Sequence, residues 1–247
     1  MLQKAKILSG NTLKIFAALC MVIDHVGLMF FPSRIIFRII GRLAFPIFAF
    51  MIAEGAKYTK NKLRYFFLMF SLAVICQIVY YFFDNGSLYM CILVTFSISI
   101  VLIYALNWMK KCLFSSDCKL IYKIVSCFIF VGLLIGVYYL NKFVDIDYGF
   151  RGILVPVLAS IPDLKGINAP DTFKKLDCIP SKVICLTIGL LYLAMGSGTI
   201  QYYSLISSLI LLLYSGERGK YKMKYFFYLF YPLHLVALEA IYIILHL

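Results

Sequence analysis

Six ionisable residues, Lys14, Asp24, His25, Arg38, Arg42 and Glu54, lie inside or at the edges of two apolar runs between residues 14 and 57. An Arg, Lys or Asp at bilayer depth costs roughly +2.5 to +3.5 kcal/mol on insertion scales, so such groups are rare there and face a cavity. Their types suit proton transfer and the stabilisation of developing charge. A neutral His25 imidazole can take the proton of an attacking amine or hydroxyl. Asp24 can fix that ring's tautomer or hold the nucleophile, although adjacent helix positions point about 100° apart and a direct bond is not assured. Arg42 and Arg38, one turn apart, can pair with Asp24 or Asp147 or stabilise an oxyanion, and His234, in the last apolar run, can donate to the same oxyanion or hold the acceptor. The bland alternative for each is a polar group satisfied within a helical bundle.

The elements that must position these groups are apolar helices. The chain has 247 residues, 63% of them hydrophobic and 14% charged, with a mean hydropathy of +0.93. These values exclude an ordinary soluble domain. Repeated apolar runs near the roughly 20 residues needed to cross a bilayer indicate an all-α, polytopic membrane bundle forming a single domain over residues 1–247. A β-barrel would need alternating segments of about ten residues, and none is evident. Helices are predicted at about 12–31, 34–56, 62–83, 88–108, 120–140, 149–161, 183–196, 199–214 and 224–246, after an amphipathic lead carrying Lys4 and Lys6.

The formal net charge of +13 does not imply nucleic acid, because the basic residues fall in short clusters between apolar runs. With nine spans, the basic connections 57–64, 109–119, 162–182 and 215–224 share the side of the N-terminus. The connections 84–87, 141–148 and 196–199 carry only Lys142, and the exceptions are Arg34, Arg38 and Arg42, which start the second helix from the outer side. The positive-inside rule then places the N-terminus in the cytoplasm. The eight cysteines, without a CxxC pair or a Cys/His cluster, read as apolar fillers, and no metal site is expected.

Depth arithmetic brings the polar groups together. At 1.5 Å per residue, His25 lies about 18 Å from the inner end of the first helix and Arg42 about 12 Å below the outer end of the second. In a core about 30 Å thick those levels coincide, and His234 and Asp24 join them. Lys14 and His25 are eleven positions apart, close to three turns, and so share one helix face. A ligand with an anionic head at Lys14 and a reactive end at His25 fits that spacing, and a coenzyme A thioester, with phosphates at one end of its arm, has this shape. Arg38 is a second candidate for binding this donor, with interfacial snorkelling as its alternative, as for Arg34. Glu54 lies near the depth of Lys14 and is expected to pair with it, and is kept as a candidate substrate contact. Pro46 and Pro232 each remove a helix hydrogen bond, an opening tolerated where it lines a cavity. Asp147, Tyr148 and Arg151 form a candidate acceptor-binding mouth on the outer side.

The runs IDHVG (23–27), RIIGRLAFPIFAFMIAEG (38–55), DYGFRGIL (147–154) and FYPLHL (230–235) resemble the TraX family, named for the pilin N-acetylase of conjugative plasmids. The likeness covers most of the chain in order. Lys14, ten residues, then His25 is also similar to the basic-residue and histidine signature in the first membrane helix of the broader membrane acyltransferases, the acyltransferase-3 group among them. The resemblance implies a bacterial cytoplasmic-membrane enzyme that passes acetyl from cytoplasmic acetyl-CoA to an acceptor at or beyond the outer face. Nothing in the sequence is specific to pilin, so the acceptor stays open among peptide, glycan and lipid-linked amines or hydroxyls. Direct transfer is expected, with a transient acetyl-His25 as the alternative. A transporter or flippase with a buried ionisable site is the rival reading, and would show inverted repeats and paired broken helices.

Overall fold

Ser9 starts the first helix by accepting a hydrogen bond at its hydroxyl from the Thr12 amide at 3.2 Å, which satisfies one of the free donors at a helix N-terminus. This helix, α1, runs from Gly10 to Phe30 and ends just before Pro32. The computed structural model describes residues 7–83, 88–164, 166–221 and 223–246. The lead with Lys4 and Lys6, the connection 84–87, Lys165 and Lys222 lie outside the described residues.

The second predicted helix is two helices, α2 (Ile35–Gly41) and α3 (Ala44–Tyr58). The break at residues 42–43 follows from Pro46. A proline lacks the N–H an interior position needs but costs nothing in the first turn, where no partner is required. The chain therefore restarts its helix just upstream of Pro46, and Arg42 falls in the joint.

The remaining helices are α4 (Lys62–Phe83), α5 (Ile92–Phe114), α6 (Leu120–Phe143), α7 (Gly149–Ala159), α8 (Asp171–Lys174), α9 (Ile179–Ser197), a 3₁₀ segment (Thr199–Leu205), α10 (Ile206–Leu212) and α11 (Lys224–His246). Among the described residues, six stretches are long and apolar enough to cross a bilayer: α1, residues 35–58, α4, α5, α6 and α9. Three others expected to cross are apolar but shorter, at 149–159, 199–212 and 229–245. The protein is thus an all-helical membrane protein. Helix α6 buries only Ser126 and presents its apolar side chains outward, which suits contact with lipid tails.

Helices α3 and α5 hold the centre. Ile47, Ala49 and Phe50 of α3 pack with Ile100, Leu102 and Ile103 of α5, Ile153 and Val155 of α7, and Leu186, Leu190 and Leu193 of α9. Close approach in a membrane depends on small residues, because lipid supplies no hydrophobic drive between helices. Gly189 lets α9 meet α7: a Cβ there would sit 3.1 Å from Leu158 Cδ1 and 3.3 Å from the Val155 backbone. Gly27 and Gly41 do the same for α1 and α2. A Cβ on Gly27 would overlap Phe37, and one on Gly41 would overlap the Asp24 carboxylate. Gly41 is therefore what lets Arg38 of α2 and Arg42 of the joint reach Asp24.

Candidate functional site

His25 and His234 meet across α1 and α11, their ring centroids 5.2 Å apart at 65°. Each ring turns back on its own helix. His25 Nδ1 lies 2.8 Å from the Met21 carbonyl and His234 Nδ1 lies 3.0 Å from the Phe230 carbonyl. A carbonyl can only accept, so in both neutral rings Nδ1 carries the hydrogen and Nε2 keeps its lone pair. This corrects two expectations. The Met21 carbonyl, not Asp24, sets the His25 tautomer, and a neutral His234 offers an acceptor where an oxyanion would need a donor. His234 Nε2 is buried with no partner.

Asp24 spends its charge on the arginines. Its Oδ2 accepts from Arg38 Nη1 at 3.0 Å and lies 3.8 Å from Arg42 Nη2, while its Oδ1 is buried and unpaired. Arg42 also donates through Nη1 to Gln201 Oε1 at 3.2 Å and to the Tyr148 hydroxyl at 3.3 Å, and keeps a buried Nε–H without a partner. Gln201 carried no signal in the sequence; it stands in the 3₁₀ segment after Gly198, whose φ of 85° suits a residue without a side chain.

The segment 145–148 is tied down before it reaches the site. The Met90 amide bonds to the Asp145 carbonyl at 2.8 Å, the Asp147 amide bonds to the Met90 carbonyl at 2.9 Å, and the Thr95 hydroxyl donates to the Asp147 carbonyl at 2.7 Å. Tyr148 has φ 59°, a left-handed conformation that costs a side-chain-bearing residue roughly 1–3 kcal/mol. Its ring stacks on Phe45 with centroids 4.2 Å apart, and that fit holds its hydroxyl toward Arg42. The Tyr89 hydroxyl donates to Asp147 Oδ1 at 2.7 Å.

Burial pushes the Asp147 carboxyl above its ordinary range, and the Tyr89 hydrogen bond and the Arg42 charge pull it partly back. The folded protein therefore holds this proton more tightly than the unfolded chain. That contribution to stability is present below the unfolded pKa, about 3.9, and is lost as pH rises through the folded value. Asp147→Asn should gain thermal stability relative to the parent as pH rises from 4 to 8, read from unfolding midpoints across that series.

A single cavity of about 1030 Å³ joins these groups. Lys14 and Arg218 line one end, His25 lies further along, and Asp24, Arg38, Arg42, Tyr89, Asp147 and Tyr148 line the other. Its volume matches the upper range of small-molecule sites, roughly 300–1,000 Å³. The rise along α1 between Lys14 and His25 is about 16 Å.

Two expected contacts fall elsewhere. Arg151 does not line the cavity. It lies over the Tyr192 ring at 4.9 Å, in the space that Gly196 leaves on α9, because the tight pairing of α7 with α9 turns that face away. Glu54 lines the cavity but pairs with Lys182, not with Lys14, whose ammonium lies 5.8 Å from the Phe227 ring centroid. Lys182 also meets Asp163 Oδ1 at 2.5 Å, and Lys57 bridges Asp163 at 2.9 Å and Asp177 at 2.6 Å. Lys110 donates to the carbonyls of Ser160 at 2.9 Å and Asp163 at 3.0 Å, capping the end of α7. Read along the chain, Lys57, Lys110 and Lys182 belong to the basic clusters that signal topology; in the fold they pin the 160–178 connection to α3, α5 and α9.

The chain is 44% identical over 54 residues to an uncharacterized protein, RP591, of Rickettsia prowazekii (strain Madrid E). That match covers 22% of this chain and 21% of the relative's length. No solved structure matches. The family described as TraX protein matches residues 9–242, nearly the whole length, including both histidine-bearing helices and the segment that carries Asp147 and Tyr148. On that match the chain belongs to the TraX family.

Proposed function

We propose that the protein is a membrane-embedded acetyltransferase that takes acetyl from acetyl-CoA at the Lys14 end of the cavity and delivers it to an amine or hydroxyl acceptor at the Asp147 end. The observation that carries this reading is the continuous cavity, with cations at one end, an Nε2 lone pair at His25 within it, and carboxylates and phenols at the other. Membership of a family named for a pilin acetylase supports it. In this reading the membrane is the bacterial cytoplasmic one and the Lys14 end faces the cytoplasm, an orientation that the clusters of basic residues support.

The residues divide the work by what each has free. His25 Nε2 takes the proton from the attacking nitrogen or oxygen as its bond to the acetyl carbon forms. The unpaired Arg42 Nε–H stabilises the oxyanion, held in place by Asp24, Tyr148 and Gln201. When the carbon–sulfur bond breaks, His25 returns its proton to the departing thiolate, so acetylated acceptor and free CoA leave and the enzyme is unchanged. Asp24 Oδ1 and His234 Nε2, two buried acceptors without donors, hold the N–H or O–H of the incoming acceptor.

Purified protein should carry CoA detectable by mass spectrometry, and acetyl-CoA at about 100 times its Kd should stabilise it by about 2.7 kcal/mol in thermal unfolding. Indifference to acetyl-CoA, with stabilisation by an unrelated solute, would favour the transporter.

A further inference from the structure

The loop 213–221 is built onto the start of α1. The Gly10 and Asn11 amides bond to the carbonyls of Glu217 and Arg218 at 2.8 and 2.9 Å, and the Asn11 side chain donates to the Tyr221 carbonyl at 2.6 Å. Gly219, with φ 100°, passes so close to Ser9 that a Cβ would sit 2.8 Å from its hydroxyl. This seating holds Arg218 beside the first turn of α1, and Lys14 follows Asn11 by three residues, close to one turn along the same helix face. Both side chains line the same end of the cavity. Lys14 is half-buried, Arg218 is exposed at the mouth, and the two charges repel.

Neither cation has a carboxylate partner among the described residues. Glu54 is taken by Lys182, and Glu239 lies at the far end, where α11 passes Phe30 through Tyr242. Two unpaired like charges placed at one mouth by a loop with this many backbone bonds favour a multiply charged anion between them.

We propose that Lys14 and Arg218 form a subsite for the phosphate groups of the donor's nucleotide end, with the seated 213–221 loop as its outer wall. This deepens the acetyl-CoA reading and rests on it. Arg218 supplies a planar fork suited to phosphate, and Lys14 a point charge deeper in the cavity, toward His25.

The probe is adenosine 3′,5′-bisphosphate, which carries phosphates but no thioester arm. It should raise the unfolding midpoint of the detergent-solubilised protein, with affinity falling about tenfold in Arg218→Gln and largely restored in Arg218→Lys. Arg218→Gln should also raise KM for acetyl-CoA about tenfold while KM for S-acetylpantetheine, which lacks the nucleotide, moves far less. Equal bisphosphate binding in parent and Arg218→Gln overturns the subsite. So does Arg218-dependent stabilisation by phosphatidylglycerol with none by the bisphosphate, which would assign the pair to a lipid headgroup. Arg218-dependent bisphosphate binding without acetyl transfer to any acceptor would keep the subsite and sink the acetyltransferase reading; transfer with Arg218-independent KM would do the reverse.

Discussion

His25→Ala is expected to lower acetyl transfer by about 10²- to 10⁴-fold, the usual contribution of a positioned general base, while leaving the acetyl-CoA-induced rise in unfolding midpoint in place. The reason lies in how the ring is held. Its Nδ1–H is committed to the Met21 carbonyl within its own helix, so the ring is fixed without help from Asp24, and Nε2 is left free. Alanine removes the base and spares the neighbours, because Asp24 remains paired with Arg38 and Arg42. Labelled acetyl transfer to an acceptor amine, followed at saturating donor, reads the effect. A variant with parental turnover would mean that the lone pair at Nε2 takes no part.

Lys182→Ala is expected to destabilise the protein by about 3–5 kcal/mol, the cost of leaving a buried charge without its partner. Lys182 touches both Glu54 and Asp163, and the side chains of the three residues are all less than one-tenth exposed. Asp163 keeps Lys57 at 2.9 Å after the substitution, whereas Glu54 has no other cation within ion-pair distance among the described residues. Glu54→Gln in the same background should therefore recover much of the loss, since it removes the orphaned charge. Unfolding midpoints of the single and double variants in detergent test this. An unchanged midpoint for Lys182→Ala would show that the connection 160–178 does not depend on these ion pairs.

How far the sequence revealed the fold depends on which information is local. Apolar runs mark the helices because hydrophobicity is a property of each segment, and most predicted boundaries fall within a few residues of the observed ones. The break at Arg42 and Leu43 was legible only as the local opening expected from Pro46, because the apolar residues on both sides of Gly41 and Arg42 read as one span. Depth arithmetic brings Asp24, His25, Arg42 and His234 to one level because helical rise is constant, and the fold places them within one neighbourhood. Direction was harder. Arg151 sits in the same short run as Asp147 and Tyr148, yet it turns onto Tyr192, a choice made by the packing of α7 on α9. The pairs among Lys57, Asp163, Asp177 and Lys182 join residues up to 128 positions from their partners, counting Glu54, and no local pattern encodes such a pairing. Gln201 and Tyr89 were invisible for the same reason: neutral polar side chains near helix ends are common, and only the fold shows which of them reach Arg42 or Asp147.

The most direct measurement uses proteoliposomes in which labelled acetyl-CoA is supplied only on the face of the Lys14 end and a membrane-impermeant peptide amine only in the opposite compartment. The expected result is labelled peptide in that opposite compartment, at a rate that collapses in His25→Ala. Label that never leaves acetyl-CoA, or that crosses equally well without the His25 imidazole, would contradict transfer through this cavity.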